Sequence, residues 1–479
     1  MATLSSPGVG SGLDVNGIVN QLMAVERKPI EQLDATNKRL DAQLSAYGKL
    51  QSAMMALRDA ARRLTDASTW QLTKATSASA EGVTATSTGT APPGTYSVSV
   101  SRLAAAQTVV GNQTFASASD TLGGGTLTIE LGNWDAGQTA FAPKADGSAV
   151  SITIAEGSTL TQVRDAINAA GAGVNASIVN DASGARLAIR STSTGADNGF
   201  RITAVPDAPG TLAPAATLDT LEFDPPSGTT GMSRTLAAAN AEATINGVAV
   251  SSATNLLTDV LDGLTVRLGQ VTTAPVEVTV ERDTESIKKA VTEFATAYND
   301  LVSQVREQTR YDEGSKKAGT LQGDRSAVGL LNGLRSLAGT STGAVTTFTR
   351  LADIGLEPQS DGKLKVVDSK LDGATGRLDD LQAFFARNAD GAAEDGFGVL
   401  MRDFGSQALD TSGELSTRQE ALRASIQRNN ARSDKLEERL ALVEARLRAQ
   451  YSKLDTNMAR LTSLQNYVSQ QVQNWNAKG

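Results

Sequence analysis

From Glu414 to Lys478 the chain has no glycine and no proline, the two residues that break helices most strongly. Apolar residues recur there at steps of three and four: Leu422 and Ile426, then Leu436, Leu440, Val443, Leu447, Tyr451, Leu454, Met458, Leu461, Leu464 and Val468. On a helix such steps put side chains along one narrow stripe. A stripe this narrow suits a coiled-coil seam better than the broad face of a globular helix. At about 1.5 Å of rise per residue the predicted helix is roughly 90 to 100 Å long. No domain of this chain is that wide, so much of the stripe is expected to pack on a partner, either the chain's own N-terminal helix or another molecule. The alternative is a hairpin closed within one chain.

The 479 residues contain no Cys and no His. Disulfides, thiolate nucleophiles, zinc–cysteine sites and iron–sulfur clusters are therefore impossible. The commonest general base and metal ligand is also missing. Asp379-Asp380 and Glu437-Glu438 are adjacent acids, which point about 100° apart on a helix and read as solvated faces, not proton-transfer pairs. No Asp-x-Asp-x-Asp-Gly calcium loop occurs, and nothing singles out a Ser–Lys pair. No enzyme, cofactor or metal is expected. Charge is uneven: residues 75–280 hold 8 Lys+Arg against 17 Asp+Glu, and residues 414–479 hold 11 against 7. The charges of the basic tail alternate in sign, as on the solvated faces of a coiled coil, so nucleic acid is not expected as a partner. No run reaches the roughly 18 to 20 apolar residues of a membrane span. The first 30 residues lack the basic start and apolar core of a cleavable secretory signal.

Met1 to Gly12 is rich in Ser and Gly and reads as flexible. Its Gly8-Val9-Gly10-Ser11-Gly12 has no Lys-Ser/Thr after it and is no phosphate loop. Asp14 is expected to cap a short helix carrying Val15, Ile18, Val19, Leu22 and Val25. Pro29 is expected to interrupt it. A second helix should begin near Ile30, its seam marked by Leu33, Leu40, Leu44, Tyr47, Leu50, Met54, Leu57, Ala61 and Leu64. The many charges and the matching C-terminal stripe favour a coiled coil over a membrane-surface helix.

The order Gly8-Val9-Gly10-Ser11-Gly12-Leu13-Asp14-Val15-Asn16, then Ile18-Val19-Asn20-Gln21-Leu22-Met23 and Glu26-Arg27-Lys28-Pro29-Ile30, resembles the N-terminus of the flagellar hook-associated protein 2 family, the filament-capping proteins. Gly94-Thr95-Tyr96-Ser97-Val98-Ser99-Val100, Ala243-Thr244-Ile245-Asn246-Gly247-Val248 and Leu261-Asp262-Gly263-Leu264-Thr265-Val266 are similar to the same family. So is Gly413-Glu414-Leu415 before the long helix.

From about Ala75 the period changes to two. Strands are predicted over 95–100, 126–131, 150–154, 174–179, 186–190, 200–205, 243–250, 264–268 and 276–281. Asn246-Gly247 and Asp262-Gly263 are turn dipeptides. Thr159 to Ala170 reads as one short helix with capping-box spacing at Thr159 and Gln162 and an inner face of Leu160, Val163 and Ile167. This unit is similar to the insertion modules of flagellin-like proteins. Asp207 to Ser233, rich in Pro, Gly and Thr, reads as a surface excursion. Helical spacing returns at Ile287, Val291, Phe294, Tyr298, Leu301 and Val305. An Ala/Leu-rich helix follows to about Leu337, then a hairpin turning at Asp361-Gly362.

The expected fold is α+β and multidomain. Residues 1–40 and 430–479 form a coiled-coil leg, flexible when free. Residues 41–74 and 281–429 form a helical bundle that holds both termini together. Residues 75–112 and 236–280 form a proximal β domain, and 113–235 a distal β-rich insertion. The resemblance implies a cap on the tip of a bacterial flagellar filament: a secreted homo-oligomeric ring that retains exported flagellin and promotes its folding and polymerisation. It further implies flagellin, an export chaperone and the type III export apparatus as partners, with host mucin as the partner if the β region acts as an adhesin. Another hook-associated or flagellin-like structural protein is the remaining alternative. The seam residues expected to meet partners are Leu13, Ile18, Val19, Leu22, Leu40, Leu44, Leu50, Leu57, Leu436, Leu440, Val443, Leu447, Leu454, Met458 and Leu461.

Overall fold

The computed structural model describes residues 14–476 except 90, 209–213, 315, 390, 392 and 393. The flexible start predicted for Met1 to Gly12 thus lies outside the described residues. The helices are α1 (Val15–Thr65), α2 (Ala67–Trp70), α3 (Leu160–Ala169), α4 (Thr284–Thr309), α5 (Arg325–Gly339), α6 (Asp368–Thr375), α7 (Leu378–Ala386), α8 (Phe397–Leu409) and α9 (Glu414–Asn476). Two compact units form, Met1–Trp70 with Glu285–Gly479, and Gln71–Thr284. The first is mostly helical and the second mostly strand, so the fold is α+β as predicted.

In the helical unit, Asp14 caps α1 by accepting the Gly17 N–H at 2.8 Å. The helix then runs unbroken through Pro29, which corrects the predicted interruption. Proline removes one backbone donor. Here it does so on an exposed face, beside an exposed Val25, where the carbonyl left unbonded can meet water. The inner half of α1 packs on α7, α8 and α9 through Tyr47, Leu50, Met54, Leu57, Ala61 and Leu64, all 0% exposed. From α4 the whole predicted face, Ile287, Val291, Phe294, Tyr298, Leu301 and Val305, joins the same core. Aromatics are only 4% of the chain, and they are concentrated here. Phe384 stacks on Phe397 with centroids 6.1 Å apart, and meets Phe385 edge-on at 5.1 Å. Trp70 stacks on Phe385 at 5.9 Å and donates its indole N–H to the Leu64 carbonyl at 2.9 Å. Such pairs add about 0.5–1.5 kcal/mol beyond their burial. The predicted hairpin pairs Leu356–Pro358 with Leu364–Val366. Asn299 brackets it, bonding both the carbonyl and the N–H of Leu364.

The β-rich unit has two cores. One lies between a five-stranded antiparallel sheet, ordered 73–77, 276–282, 94–102, 241–245 and 248–252, and a three-stranded sheet of 256–261, 264–268 and 83–87. The predicted strand 243–250 is in fact a hairpin, Ala241–Ile245 with Val248–Ser252. It turns at Asn246 and Gly247, whose φ angles of 49° and 81° explain the Asn-Gly. The second core is enclosed by a four-stranded sheet (174–181, 184–191, 108–111, 232–236), a six-stranded sheet built on 125–134 and 199–206, and α3. In α3 the capping box forms as predicted: Thr159 accepts the Gln162 N–H, and Gln162 accepts the Thr159 N–H at 2.8 Å. Leu160, Val163 and Ile167 are all 0% exposed.

The stretch Asp207 to Ser233 corrects the sequence reading. Leu218, Leu221, Phe223 and Met232 are buried in the second core. Short 3-10 turns, Leu218–Leu221 and Pro225–Ser227, give these apolar residues no regular period, so composition alone hides them. The segment Thr108–Gly111 also pairs within the second core's sheet, beside 184–191 and 232–236.

Candidate partner-binding helices

The polar contacts between α1 and α9 run in opposite order along the two chains. The Gln419 side-chain amide donates to Gln51 at 2.9 Å, Asn37 donates to Asn430 at 2.7 Å, and Arg448 donates to Asn16 at 3.1 Å. The helices are therefore antiparallel, with the start of α1 beside the middle of α9. Near the start of α9, one carboxylate ties three helices together. Asp324 caps α5 through the N–H groups of Ser326 and Ala327. It accepts the Tyr47 hydroxyl at 2.6 Å and the Arg418 guanidinium at 3.0 and 3.2 Å. Burial pushes the Asp324 carboxyl up, but the Tyr47 hydrogen bond, the Ala327 N–H and Arg418 outweigh it and hold the group below the usual carboxylate range. Burial and the Asp324 carboxylate push the Tyr47 hydroxyl well up.

Further along, the seam changes character. From Ala24 to Ser45 no α1 side chain is fully buried, and beyond Leu422 none on α9 is. A small separate cluster forms at the start of α1: Val15, Val19 and Met23, packed against half-buried Leu440, Val443, Leu447 and Tyr451. Beside it lies an open groove lined by Met23, Arg27, Glu31, Glu437, Leu440 and Glu444.

Of the residues expected to meet partners, Leu13 lies outside the described residues. Val19 is buried and Ile18 half-buried, whereas Leu22 is 41% exposed. Leu40 and Leu44 pack at the edge of the bundle core. Leu50 and Leu57 are 0% exposed within it and so are occupied by the bundle, out of reach of another molecule. Leu440, Val443 and Leu447 come together on Val15, Val19 and Met23, and Leu436 is half-buried one turn earlier. Leu454, Met458 and Leu461 are 45, 39 and 60% exposed. The stripe goes on through Leu464, Val468, Val472 and Trp475, all exposed. The sequence reading missed the contribution of Met23, although its i+4 spacing from Val19 was a usable signal. It also missed the Asp324 junction, whose partners lie far apart in the chain. Among the described residues no group of three or more Asp or Glu is placed to hold a metal ion, and no helix is long and apolar enough to cross a membrane.

Comparison with known proteins gives these helices a context. Residues 238–463 match the sequence family described as flagellar hook-associated protein 2 C-terminus, and residues 11–107 the one described as its N-terminus. Residues 136–193 match the flagellin hook IN motif. The chain is 30% identical to flagellar hook-associated protein 2 of Escherichia coli (strain K12), with 99% of each chain covered. It is 30% identical to the B-type flagellar hook-associated protein 2 of Pseudomonas aeruginosa, covering 97% of this chain and 96% of that one. The crystal structure of the D1-D2-D3 domains of the flagellar cap protein FliD from Escherichia coli is similar, with a TM-score of 0.59 at 29% identity, covering 79% of this chain and 99% of that one. The chain belongs to the flagellar hook-associated protein 2 family.

Proposed function

We propose that this protein is exported and caps the tip of a bacterial flagellar filament, in a structural and not an enzymatic role. Membership of the hook-associated family and likeness to a flagellar cap protein support the reading. Several copies form a plate over the tip. The plate retains arriving flagellin and promotes its folding and insertion. Residues 1–40 and 430–479 act as the leg of each copy, 41–74 and 281–429 as the bundle that carries it, 75–112 and 236–280 as a proximal β domain, and 113–235 as a distal one. An export chaperone and the type III apparatus deliver the chain.

The observation that carries the role of the leg is the apolar stripe of α9. It is half-covered by α1 as far as Tyr451 and left open from Leu454 to Trp475. Many weak contacts along such a stripe can be exchanged a few at a time, which suits a cap that must move as each subunit is added. The test is genetic. A strain lacking the protein should be non-motile and shed monomeric flagellin into the medium, and the full chain should restore it. A chain ending after Tyr451 should fold its bundle and fail to restore it. Normal filaments without the protein would end the capping reading, and full rescue by the shortened chain would end the role of the stripe.

A further inference from the structure

Between the two apolar clusters that α1 and α9 share, no α1 side chain from Ala24 to Ser45 is fully buried, and within that stretch lies a layer of amides. Asn37 donates to the Asn430 side-chain oxygen at 2.7 Å and accepts from the Asn429 amide at 2.9 Å. Both poles of the Asn37 amide are thus engaged by α9, with Asn37 and Asn429 half-buried and Asn430 exposed. On the bundle side, half-buried Leu40 and Leu44 pack against the edge of the main core. On the leg side the next fully buried side chain of α1 is Met23. The intervening stretch contains Pro29 and borders the open groove.

We propose that the Asn37, Asn429 and Asn430 layer is an insulating joint, which lets the outer part of the α1–α9 pair open without loosening the bundle. Cooperative order spreads along paired helices through continuous apolar contact. An amide layer interrupts that contact, as a polar seam residue in a coiled coil trades stability for a specified pairing. The same layer blocks intrusion. A foreign apolar helix that replaced the outer part of α1 would stop here, because going further would press apolar side chains onto the half-buried Asn429 amide and take away its partner. Partner exchange along the leg then ends at a fixed place. The inference deepens the reading of the leg given above, and hydrogen exchange on the isolated protein tests it without any filament.

The experiment is amide hydrogen exchange on the full chain, followed segment by segment by mass spectrometry. In the natural chain, residues 15–33 should exchange at least about a hundredfold faster than residues 46–64. The triple change Asn37→Leu, Asn429→Leu and Asn430→Leu replaces the amides with apolar side chains, so that half-buried Ile30 and Leu33 and the main core lie on one uninterrupted apolar seam. It should slow exchange over 15–33 by at least about tenfold and leave 46–64 unchanged. Asn37→Ala removes both hydrogen bonds without bridging the clusters, so residues 15–33 should exchange as fast as before or faster. Equal protection of the two segments in the natural chain would overturn the joint. So would a folded leucine variant whose outer segment exchanges at the natural rate. Protection over 46–64 reports folding. If the leucine variant loses it, the natural chain and Asn37→Ala decide the matter, and slower exchange of 15–33 in Asn37→Ala would overturn the proposal.

Discussion

Residues 46–64 and 15–33 belong to one helix, α1, and carry the same alternation of three- and four-residue steps. The inner segment buries Ala46, Tyr47, Leu50, Ala53, Met54, Leu57, Ala61 and Leu64, while the outer buries Val15, Val19 and Met23. Each fully buried large apolar side chain contributes about 1.5–3 kcal/mol, against an ordering cost of about 1–2 kcal/mol per residue. The inner segment is surrounded by α7, α8 and α9 and shares a core with α4. The outer meets α9 alone among the described helices in its cluster. Periodicity thus marks a face that seeks cover, and the number of surrounding elements decides whether the face becomes core or stays available.

Matched substitutions break this comparison most sharply. Leu57 and Val19 are both 0% exposed. Leu57→Ala should lower global stability by about 2–5 kcal/mol, because the cavity lies in a crowded core. The measurement is denaturant unfolding followed by far-UV circular dichroism.

Asp324→Asn sharpens the comparison at the junction of α1, α5 and α9. The change keeps a side-chain oxygen to cap α5 but removes the charge that holds Tyr47 and Arg418, and should cost about 2 kcal/mol at neutral pH. Because folding lowers the Asp324 pKa, its stabilisation is fully present above the unfolded carboxylate value of about 3.9 and is lost as pH falls through the lower folded value. The gap between Asp324→Asn and the natural protein should therefore hold from neutral pH down to that range and close below it. A gap unchanged in strong acid would mean that the ionised carboxylate is not what joins the helices.

Val19→Ala should shift the global transition by less than about 0.5 kcal/mol, since the outer segment opens before the bundle does. A cost equal to that of Leu57→Ala would show that α1 behaves as one cooperative rod.

Local rules made much of this fold legible. The capping box of Thr159 and Gln162, the Asp14 cap, the turn at Asn246-Gly247 and the inner face of α4 all rest on residues within a few positions of one another. The core role of Leu218, Leu221, Phe223 and Met232 was hidden because 3-10 turns space them without a period. The continuity of α1 was hidden because the cost of Pro29 depends on whether Val25 faces solvent. In the candidate site the α9 stripe was legible, but its covered and uncovered parts share one spacing. Leu50, deep in the bundle, and Leu461, in the open, look alike in sequence for that reason. The Asp324 junction joins positions 277 residues apart from Tyr47, a distance at which only tertiary packing decides contact.

The open stripe is the point on which the functional reading turns, and direct crosslinking tests it. The chain has no Cys, so Leu461→Cys offers a single thiol for a photoreactive label. Leu461 is 60% exposed and touches none of the described apolar clusters, so the substitution should leave the thermal transition of the free protein unchanged. Illumination of growing filaments carrying the labelled protein should yield an adduct with flagellin, identified by mass spectrometry. Adducts only between copies of this chain, or none in filaments that elongate normally, would contradict the claim that the stripe holds the cap on the filament.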